Sequence, residues 1–474
     1  MSNNVKETVI QFGEGGFLRG FVDYFFHKLQ EKGLYDGKIV VVQPIEKGMC
    51  QMLADQNCEY NLFLRGIDNG EVVNEHTHVT SISRALNPYT QYEEYIALAE
   101  SPDLRVLVSN TTEAGIEYLG TEKLSDTPPK SYPAKLCQFL YKRYKAGLKG
   151  LILLPCELID DNGDNLKKCV LQYADLWELE DGFKNWLETD NDFCSTLVDR
   201  IVTGYPRSEA DSINEENGYI DNLIDTGEIF GFWVIEGPKS LKEELPFEKA
   251  GLPVLITDDH KPYKERKVRI LNGAHTSFVL GAYLAGQDIV RDCMNNEVIC
   301  GFMNKTIYDE IIPTLTLPKE ELEEFAASVT ERFKNPFIDH ALLSISLNST
   351  SKWKARVMPS LKGYLEKTGT LPKCITASFA FYLAFYRGQE LKEDGFHAIR
   401  GNDEYIINDD RAVLEFFNAH KQDDAVSLTH AVCTNTDFWG EDLSKLPGFE
   451  ESVAQTLQAI EENGTYEVMK ACLA

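Results

Sequence analysis

The first 155 residues alternate short β-branched apolar runs with segments whose apolar residues recur at helical spacing. Four runs predict buried strands: "ETVIQFG", "GKIVVVQP", "LRVLVSN" and "GLKGLILLP". The segment "RGFVDYFFHKLQEKG" predicts a helix between the first two strands. Because strands that alternate with helices form a parallel sheet with helices on its faces, this part predicts an α/β fold of the Rossmann type.

Beyond about residue 260 the pattern changes to helices. It runs from "KERKVRILNGAHTSFVLGAYLAG" through "ITASFAFYLAFYRGQ" to "ESVAQTLQAIEENGTYEVMKACLA". The chain therefore predicts an α/β Rossmann-type N-terminal domain over residues 1–265 and a mainly α-helical C-terminal domain over residues 266–474.

Glycines follow the first predicted strand in "VIQFGEGGFLRG". Gly13, Gly15 and Gly16, between Phe12 and Phe17, stand where a strand, a tight turn and a helix let the backbone approach a pyrophosphate. The spacing is GxGGFxRG, with Leu18 at the third glycine position of the usual GxGxxG pattern. We interpret residues 12–17 as a dinucleotide-binding turn, and a purely structural turn is the alternative.

Two further segments extend this predicted cofactor site. Gln43 ends the second strand, where an acid usually binds the ribose, and no arginine follows at once to bind a 2'-phosphate, which favours NAD(H). The loop "NTTEAG" follows another strand and brings Thr111 and Glu113 to the carboxyl edge of the sheet, as part of a nicotinamide pocket. A helix N-cap at Thr111 is the alternative.

The segment "KVRILNGAH" carries Lys267, Asn272 and His275 among apolar neighbours. On a wheel of roughly 100° per residue, His275 lies about 80° and Asn272 about 140° from Lys267. This arrangement predicts the wall of a cleft, in which Lys267 exchanges a proton with a substrate oxygen and Asn272 stabilises the developing charge. The alternative is a lysine that extends to solvent beside a buried structural histidine.

Composition narrows the class of protein. The net charge of −28 argues against nucleic-acid or anionic-membrane partners and leaves a small-molecule substrate. The first residues lack a basic region followed by a long apolar run, and the apolar stretch "GLILLPCELI" is shorter than the roughly 20 residues that span a bilayer. Eleven cysteines without a CxxC pair indicate reduced thiols. We therefore expect a cytoplasmic protein.

The histidines do not predict a metal site. Only His76 and His78 form a close pair, no HExxH motif or Cys/His cluster accompanies them, and alternation along a strand explains the pair as well. No metal is expected, so side chains must supply the proton and polarise the carbonyl.

The segments "GEGGFLRG", "STLVDRIVTGYP", "FWVIEGP" and "KVRILNGAH" occur in the order seen in the mannitol dehydrogenase family of polyol-specific long-chain dehydrogenases, which the chain resembles over nearly its whole length. The resemblance implies an NAD(H)-dependent, metal-independent oxidoreductase. It implies that Lys267 is the catalytic lysine, Asn272 the oxyanion-hole asparagine and His275 the substrate-orienting histidine. Asp199 matches an aspartate that tunes the lysine or serves the fold.

One segment departs from the family pattern. Where typical members carry S-C-D-N, this chain has Pro155, Cys156, Glu157 and Leu158. Asn162 is the candidate replacement for the second oxyanion donor, and the alternative is that this chain lacks that donor. Glu157 serves cofactor or substrate binding, or it is a solvated or ion-paired carboxylate.

The segments "LPCELIDDNGDNL" and "LVDRIVTGYP" resemble most the members that reduce a ketouronate. For such a substrate, Lys352 and Arg356 in "NSTSKWKARVMP" are the candidate carboxylate ligands, with surface solvation as the alternative. Which hexuronate is reduced stays open. Two alternative functions also stay open: a neutral polyol dehydrogenase, and a nucleotide-binding sensor without catalysis. The sequence does not indicate the oligomeric state.

Overall fold

The computed structural model describes residues 5–112 and 114–474. The chain forms two compact units, of which the first ends at His260 and the second runs from Lys261 to Ala474. The predicted boundary near residue 265 falls inside the first helix of the second unit, which begins at Lys261. Pro262 follows at an early helical position, where its missing N–H costs no hydrogen bond.

A parallel sheet of six strands forms the centre of the first unit. Its strands are β1 (Glu7–Phe12), β2 (Lys38–Val42), β5 (Ile82–Leu86), β6 (Val106–Ser109), β7 (Ile152–Pro155) and β8 (Asp192–Phe193). They lie in the order β5-β2-β1-β6-β7-β8, and every neighbouring pair is parallel. The strand order reverses between β1 and β6, and open α/β sheets bind ligands outside the carboxyl ends of the strands at such a point.

The first unit also contains two smaller sheets of three strands each. One has the order β10-β3-β4 and the other β12-β11-β9. Their strands are β3 (Tyr60–Asp68), β4 (Glu71–Val79), β9 (Thr196–Asp199), β10 (Asp225–Glu228), β11 (Phe232–Glu236) and β12 (Val254–Thr257).

The helices of the first unit lie between these strands in sequence. They are α1 (Gly16–Arg19), α2 (Val22–Glu31), α3 (Cys50–Asp55), α4 (Tyr92–Ala97), α5 (Tyr132–Lys145), α6 (Asn162–Leu176), α7 (Asp181–Thr189), α8 (Ala210–Asn217) and α9 (Leu241–Glu244), with a 3₁₀ turn at Leu98–Glu100.

The central sheet is buried on both faces. Val9 of β1 and Val41 of β2 belong to one apolar core, and Ile10 and Val40 belong to the other. Alternate residues of one strand point to opposite faces, so a strand covered on both sides must be apolar throughout. This is why the predicted strands are continuous apolar runs.

The second unit is mainly helical. Its helices are α10 (Lys261–Arg266), α11 (Gly273–Leu284), α12 (Val290–Asn295), α13 (Glu297–Lys305), α14 (Lys319–Phe333), α15 (Leu342–Ile345), α16 (Ser349–Arg356), α17 (Met358–Thr368), α18 (Lys373–Phe385), α19 (Arg411–Ala419), α20 (Ala425–Cys433), α21 (Thr436–Trp439), α22 (Phe449–Asn463) and α23 (Thr465–Leu473). Turns of π-helix cover Lys267–Asn272 and Thr306–Ile311, and 3₁₀ turns cover Ile312–Thr314 and Leu443–Lys445.

An antiparallel sheet that the sequence analysis did not predict also lies in this unit. It consists of β13 (Glu390–Lys392), β14 (Gly395–Arg400) and β15 (Asp403–Ile407), paired in that order.

None of the helices in the described ranges is both long enough and apolar enough to cross a membrane.

Candidate active site

The glycine turn after β1 is tightly packed at Gly13 and Gly16 and open at Gly15. Gly13 has φ +129°, and a Cβ there would lie 2.8 Å from the carbonyl oxygen of Asn110, so only glycine fits. A Cβ on Gly16 would lie 3.1 Å from a carboxylate oxygen of Asp225. Gly15 is exposed, and its Cβ would meet no atom within 4 Å. The turn therefore leaves open space directly over Gly15, where phosphate oxygens can approach the backbone.

A cavity of about 290 Å³ adjoins this edge of the sheet. Pro44 and Ile45, which follow β2, line it together with Thr111 and Thr112, which follow β6. Strands β2 and β6 flank β1, so this cavity lies where a Rossmann-type fold holds the adenosine part of a dinucleotide. Apolar and hydroxyl groups line it together with the charged Glu117 and Lys130, and such walls can hold a planar base with polar substituents. Glu113, the other predicted residue of this loop, lies outside the described residues.

Glu157 holds the Thr111 loop in place. Its carboxylate, 2% exposed, accepts hydrogen bonds from the Ser109 hydroxyl at 3.1 Å, the Thr111 backbone N–H at 3.0 Å and the Thr111 hydroxyl at 2.9 Å. Burial raises the pKa of Glu157, and these hydrogen bonds oppose the shift. The interpretation of Glu157 as a solvated or ion-paired carboxylate is wrong, because hydrogen-bond donors surround it.

The structure corrects the prediction that Gln43 binds ribose. Its side-chain amide nitrogen donates to the carbonyl oxygens of Ile45, at 2.8 Å, and Glu46, at 3.0 Å. Its amide oxygen accepts from the Cys50 backbone N–H at 3.2 Å. The side chain is 2% exposed, and its hydrogen bonds stabilise the loop after β2.

The two phenylalanines of the turn differ in their surroundings. Phe12 is fully buried, and its ring packs against Tyr95 and Tyr132 with centroid separations of 6.0 and 5.0 Å. The prediction that Phe12 binds cofactor is therefore corrected for its side chain, which belongs to the core. Phe17 is half-buried and stacks on Phe21 with centroids 5.3 Å apart.

Asn162 is also turned inward, which contradicts its predicted role as a substrate hydrogen-bond donor. Its amide nitrogen donates to the carbonyl oxygens of Pro155, Glu157 and Thr196 at 3.0 to 3.1 Å. Its amide oxygen accepts from the Thr196 backbone N–H at 2.8 Å, and the side chain is 1% exposed. Asn162 joins the ends of β7 and β9 and has no N–H left for a substrate.

In the second unit, Lys267 and Asn272 are the first and last residues of a π-helical turn. The prediction placed them about 140° apart on an α-helical wheel. A π-turn has i→i+5 hydrogen bonds, so it brings residues five apart onto successive turns, and the angle derived from the α-helix does not apply. Both side chains are half-buried, and α11 continues from Gly273. Such turns occur frequently at functional sites.

His275 lies within α11, 9% exposed, with its ring stacked on Phe333 at a centroid separation of 4.0 Å. The ring of His340 stands edge-on to it at 5.5 Å. Within the described residues, Nε2 of His275 is buried and has no hydrogen-bond partner. Burial, and then the positive charges of neighbouring groups, hold the pKa of His275 well below its usual value. The imidazole is therefore neutral and has a nitrogen available to a ligand.

Four basic groups lower the pKa of His275 through their charges. Together with His275 we call them the basic cluster: His275, Arg332, His340, Lys352 and Arg356. Lys352 donates one hydrogen bond, to the carbonyl oxygen of Ile345 at 2.9 Å. Across residues 5–112 and 114–474, Arg356 has neither a side-chain hydrogen bond nor an ion pair.

Burial within this cluster is substantial. It lowers the pKa of Lys352, with Arg356 adding to the shift, and it lowers the pKa of Arg356. Surface solvation of Lys352 and Arg356, the alternative interpretation, does not describe these half-buried side chains. Sequence reasoning missed Arg332 and His340, which lie outside any motif.

Asp199 is the last residue of β9 and is 3% exposed. It pairs in register with Phe232 of β11, which fixes its position at the end of an antiparallel pair. Its predicted role beside the lysine stays a prediction.

The histidine pair in the first unit is explained by its strand. His76 and His78 both lie on the exposed face of β4 and hydrogen bond to Asn61 at 2.8 Å and Glu59 at 3.0 Å. In the part of the chain that the structure describes, one group of three side chains has the spacing of metal ligands: Glu236, Asp259 and His260. His260 is already paired there with Glu236, at 2.6 Å.

Two family models match most of the chain. The mannitol dehydrogenase Rossmann domain matches residues 7–249, and the mannitol dehydrogenase C-terminal domain matches residues 259–461. The chain belongs to the mannitol dehydrogenase family. This confirms the predicted Rossmann-type and helical architecture. The protein is an NAD-dependent oxidoreductase that acts on CH–OH groups. The alternative interpretation, a nucleotide-binding sensor without catalysis, is therefore wrong.

Relatives of similar length share nearly half of the sequence. The altronate oxidoreductases of Bacteroides thetaiotaomicron and Phocaeicola vulgatus are each 46% identical, over 471 and 475 residues, which is 98% of this chain and 97% of each relative. The altronate oxidoreductase of Escherichia coli strain K12 is 46% identical over 475 residues, covering 98% of this chain and 96% of the relative.

Solved structures share the fold at lower identity. Pseudomonas fluorescens mannitol 2-dehydrogenase, in a ternary complex with NAD and D-mannitol, has a TM-score of 0.69 at 23% identity and covers 99% of this chain and 94% of its own. A D-sorbitol dehydrogenase has a TM-score of 0.82 at 22% identity and covers 98% of this chain and 96% of its own.

Proposed function

We propose that this enzyme catalyses the reversible, NADH-dependent reduction of D-tagaturonate to D-altronate in hexuronate catabolism. The names of its full-length relatives support this substrate pair. The observation that carries the proposal is the basic cluster around His275, in which Arg356 has no partner within the described residues. A half-buried cationic cluster of this kind favours a substrate that carries a carboxylate over a neutral polyol.

Lys352 and Arg356 are the proposed carboxylate ligands. They are four residues apart on α16, so their side chains lie on one face of that helix. The planar guanidinium of Arg356 can bind a carboxylate with two parallel hydrogen bonds, and Lys352 has spare N–H groups beyond its bond to Ile345.

The remaining polar groups of α11 and of the turn before it serve the reacting carbonyl. Lys267 gives a proton to the ketone oxygen during reduction and accepts it back during oxidation. Asn272 donates an amide hydrogen bond to the developing alkoxide, and neutral His275 orients a substrate hydroxyl through Nε2. NADH, when bound, supplies the hydride to the ketone carbon. In this scheme side chains move the proton and no metal is required.

The first unit holds the cofactor in this proposal. The exposed Gly15 and the half-buried Gly16 receive the pyrophosphate, Thr111 lines the neighbouring cavity and with Glu113 remains the predicted wall of the nicotinamide pocket, and Phe17 remains a predicted neighbour of the cofactor. With a net charge of −28, we propose a cytoplasmic enzyme whose partner is a small sugar acid and neither nucleic acid nor membrane.

The test is the initial rate of NADH oxidation with D-tagaturonate, D-fructuronate and D-fructose, each with and without a chelator. A preference for D-tagaturonate that resists the chelator is the expected result. A preference for D-fructuronate would keep the mechanism and change the substrate, and a preference for D-fructose would overturn the role of the basic cluster. Loss of activity in the chelator would contradict proton transfer without a metal.

A further inference from the structure

His340 lies between α14 and α15, in a segment whose backbone is held firmly. Its carbonyl oxygen accepts a hydrogen bond from the Val290 N–H at 3.0 Å. The next residue, Ala341, forms an antiparallel bridge with Ile289, and the N–H of Leu342 donates to Asp288 at 2.8 Å. The backbone from which the His340 side chain projects is therefore held on both sides.

The ring of His340 stands beside the predicted substrate-orienting histidine and is otherwise unengaged. It meets His275 edge-on, with ring planes 87° apart. Neither of its ring nitrogens has a hydrogen-bond partner within residues 5–112 and 114–474. The side chain is half-buried, and its ring nitrogens are left to hydrogen bond to water or to a ligand. An unpaired imidazole next to an unpaired His275 Nε2 is an arrangement suited to a polar ligand.

The charges around His340 define the kind of ligand. Burial lowers the pKa of His340, and the positive charge of Lys352 lowers it further. Asp409 is the carboxylate that acts on Lys352, but its Oδ2 already accepts from the Thr350 hydroxyl at 2.8 Å and from the Tyr386 hydroxyl at 2.5 Å. Lys352 and Arg356 therefore supply two positive charges against the one carboxylate that acts on Lys352, and an anionic group would compensate the difference.

We infer that His340 contacts the substrate and, with Lys352 and Arg356, forms the subsite that receives its carboxylate. This assignment rests on the proposed function and adds a specificity-determining residue to it. His340 acquires a proton as the anion enters, and it then contributes a charge-assisted hydrogen bond. A neutral sugar offers no charge to stabilise the protonated ring, so His340 discriminates sugar acids from neutral polyols.

The experiment compares His340→Asn with a control variant, His430→Asn, in the same unit. The control histidine has a side chain that is 63% exposed and is paired with Glu450. Calorimetry on the NADH-saturated enzyme, which cannot oxidise either compound, would measure the binding of D-altronate and of D-altritol, which differ only in a carboxylate against a CH₂OH group. We expect His340→Asn to weaken D-altronate binding about 10- to 100-fold, as loss of one charge-assisted hydrogen bond implies, and to leave D-altritol binding unchanged.

Equal losses for both ligands, or no loss for D-altronate, would overturn the inference. Thermal unfolding of each variant shows whether the fold is intact, and His340→Gln provides a second substitution if the first one unfolds. Failure of the proposed function would appear differently, as absence of D-tagaturonate reduction by the unsubstituted enzyme. In that case the selective loss of D-altronate binding still decides whether His340 belongs to a carboxylate subsite.

Discussion

His275 and Phe333 stack face to face, with ring centroids 4.0 Å apart and ring planes within 14° of parallel. Phe333 is the last residue of α14, and His275 lies in the first turn of α11, so the stack ties two helices together at the proposed substrate site. The stack fixes the plane of the imidazole, and with it the direction in which Nε2 offers a hydrogen bond.

Phe333→Leu should therefore raise KM for the ketouronate more than it lowers kcat. The substitution removes the stacked ring and leaves His275 free to rotate, at a cost of about 1 to 2 kcal/mol in the free energy of unfolding. Steady-state kinetics and urea unfolding would measure both effects. Phe438→Leu is a suitable control, because Phe438 contacts Phe416 outside the basic cluster. An unchanged KM in Phe333→Leu would contradict a positioning role for the stack.

Lys267→Met should lower kcat by about 10²- to 10⁴-fold, the usual contribution of a positioned acid or base. NADH affinity, measured by fluorescence titration, should stay the same because the glycine turn is unaltered. Lys362→Met, which removes an exposed lysine paired with Glu441, should leave both quantities unchanged. A fully active Lys267→Met enzyme would refute the assignment of the proton donor.

Gly15→Val and Gly16→Val should differ in a way that separates binding from folding. A side chain at position 15 enters open space, so Gly15→Val should keep its melting temperature and lose NADH affinity by at least about tenfold. A side chain at position 16 meets the carboxylate of Asp225, so Gly16→Val should lower the melting temperature as well. Unchanged NADH binding in Gly15→Val would place the pyrophosphate elsewhere.

Asp23→Asn should reduce the pH dependence of stability. Burial raises the pKa of Asp23 to about 7 in the folded state, against about 4 in an unfolded chain. Between these values the folded state binds a proton that the unfolded state does not, so this residue's contribution to stability is lost as pH rises towards 7. The free energy of unfolding of the variant, minus that of the unsubstituted enzyme, should therefore be larger at pH 8 than at pH 5, as measured by urea unfolding. A gain that is equal at both pH values would contradict this titration.

Binding of D-altronate should take up protons, and it should weaken as pH rises above neutrality. A carboxylate beside His340 raises the pKa of the imidazole, which burial and then the positive charge of Lys352 lower in the free enzyme. Calorimetry in two buffers with different ionisation enthalpies would count the protons. Proton uptake should disappear in His340→Asn, and uptake that persists would assign the proton to another group.

The architecture was predictable because it depends on local patterns. Val9, Ile10 and Val41 belong to apolar runs that only a sheet buried on both faces requires, and the helical spacing between the runs implied parallel pairing. The sheet β13–β15 also had a signal, since "GFHAIRGNDEYII" contains a turn between two alternating segments. The predominance of helix around it obscured that signal.

The site was predictable only where a residue's chemistry decides its role. Lys267 stands out because a cation in an apolar segment has few structural uses, and Arg356 because a guanidinium can bind a carboxylate with two hydrogen bonds, and the roles of both stay predictions. Asn162 and Gln43 look equally suitable as ligands in the sequence, but Asn162 donates to the Thr196 carbonyl, 34 residues away, and Gln43 donates to Ile45 and Glu46 in the loop after β2, contacts that no motif indicates. His340 is 65 positions from His275 and belongs to no periodic segment, so its proximity is visible only in three dimensions.

The π-turn at Lys267–Asn272 sets the phase between the proton donor and the residues of α11. The turn accommodates one residue more than an α-helical turn does, so if the same residues took up regular α-helical pitch, Lys267 would rotate by about 100° relative to His275. Every side chain named in the proposed mechanism would still be present in such a chain. The spacing of backbone hydrogen bonds in one turn is thus a requirement for activity as specific as the identity of the lysine itself.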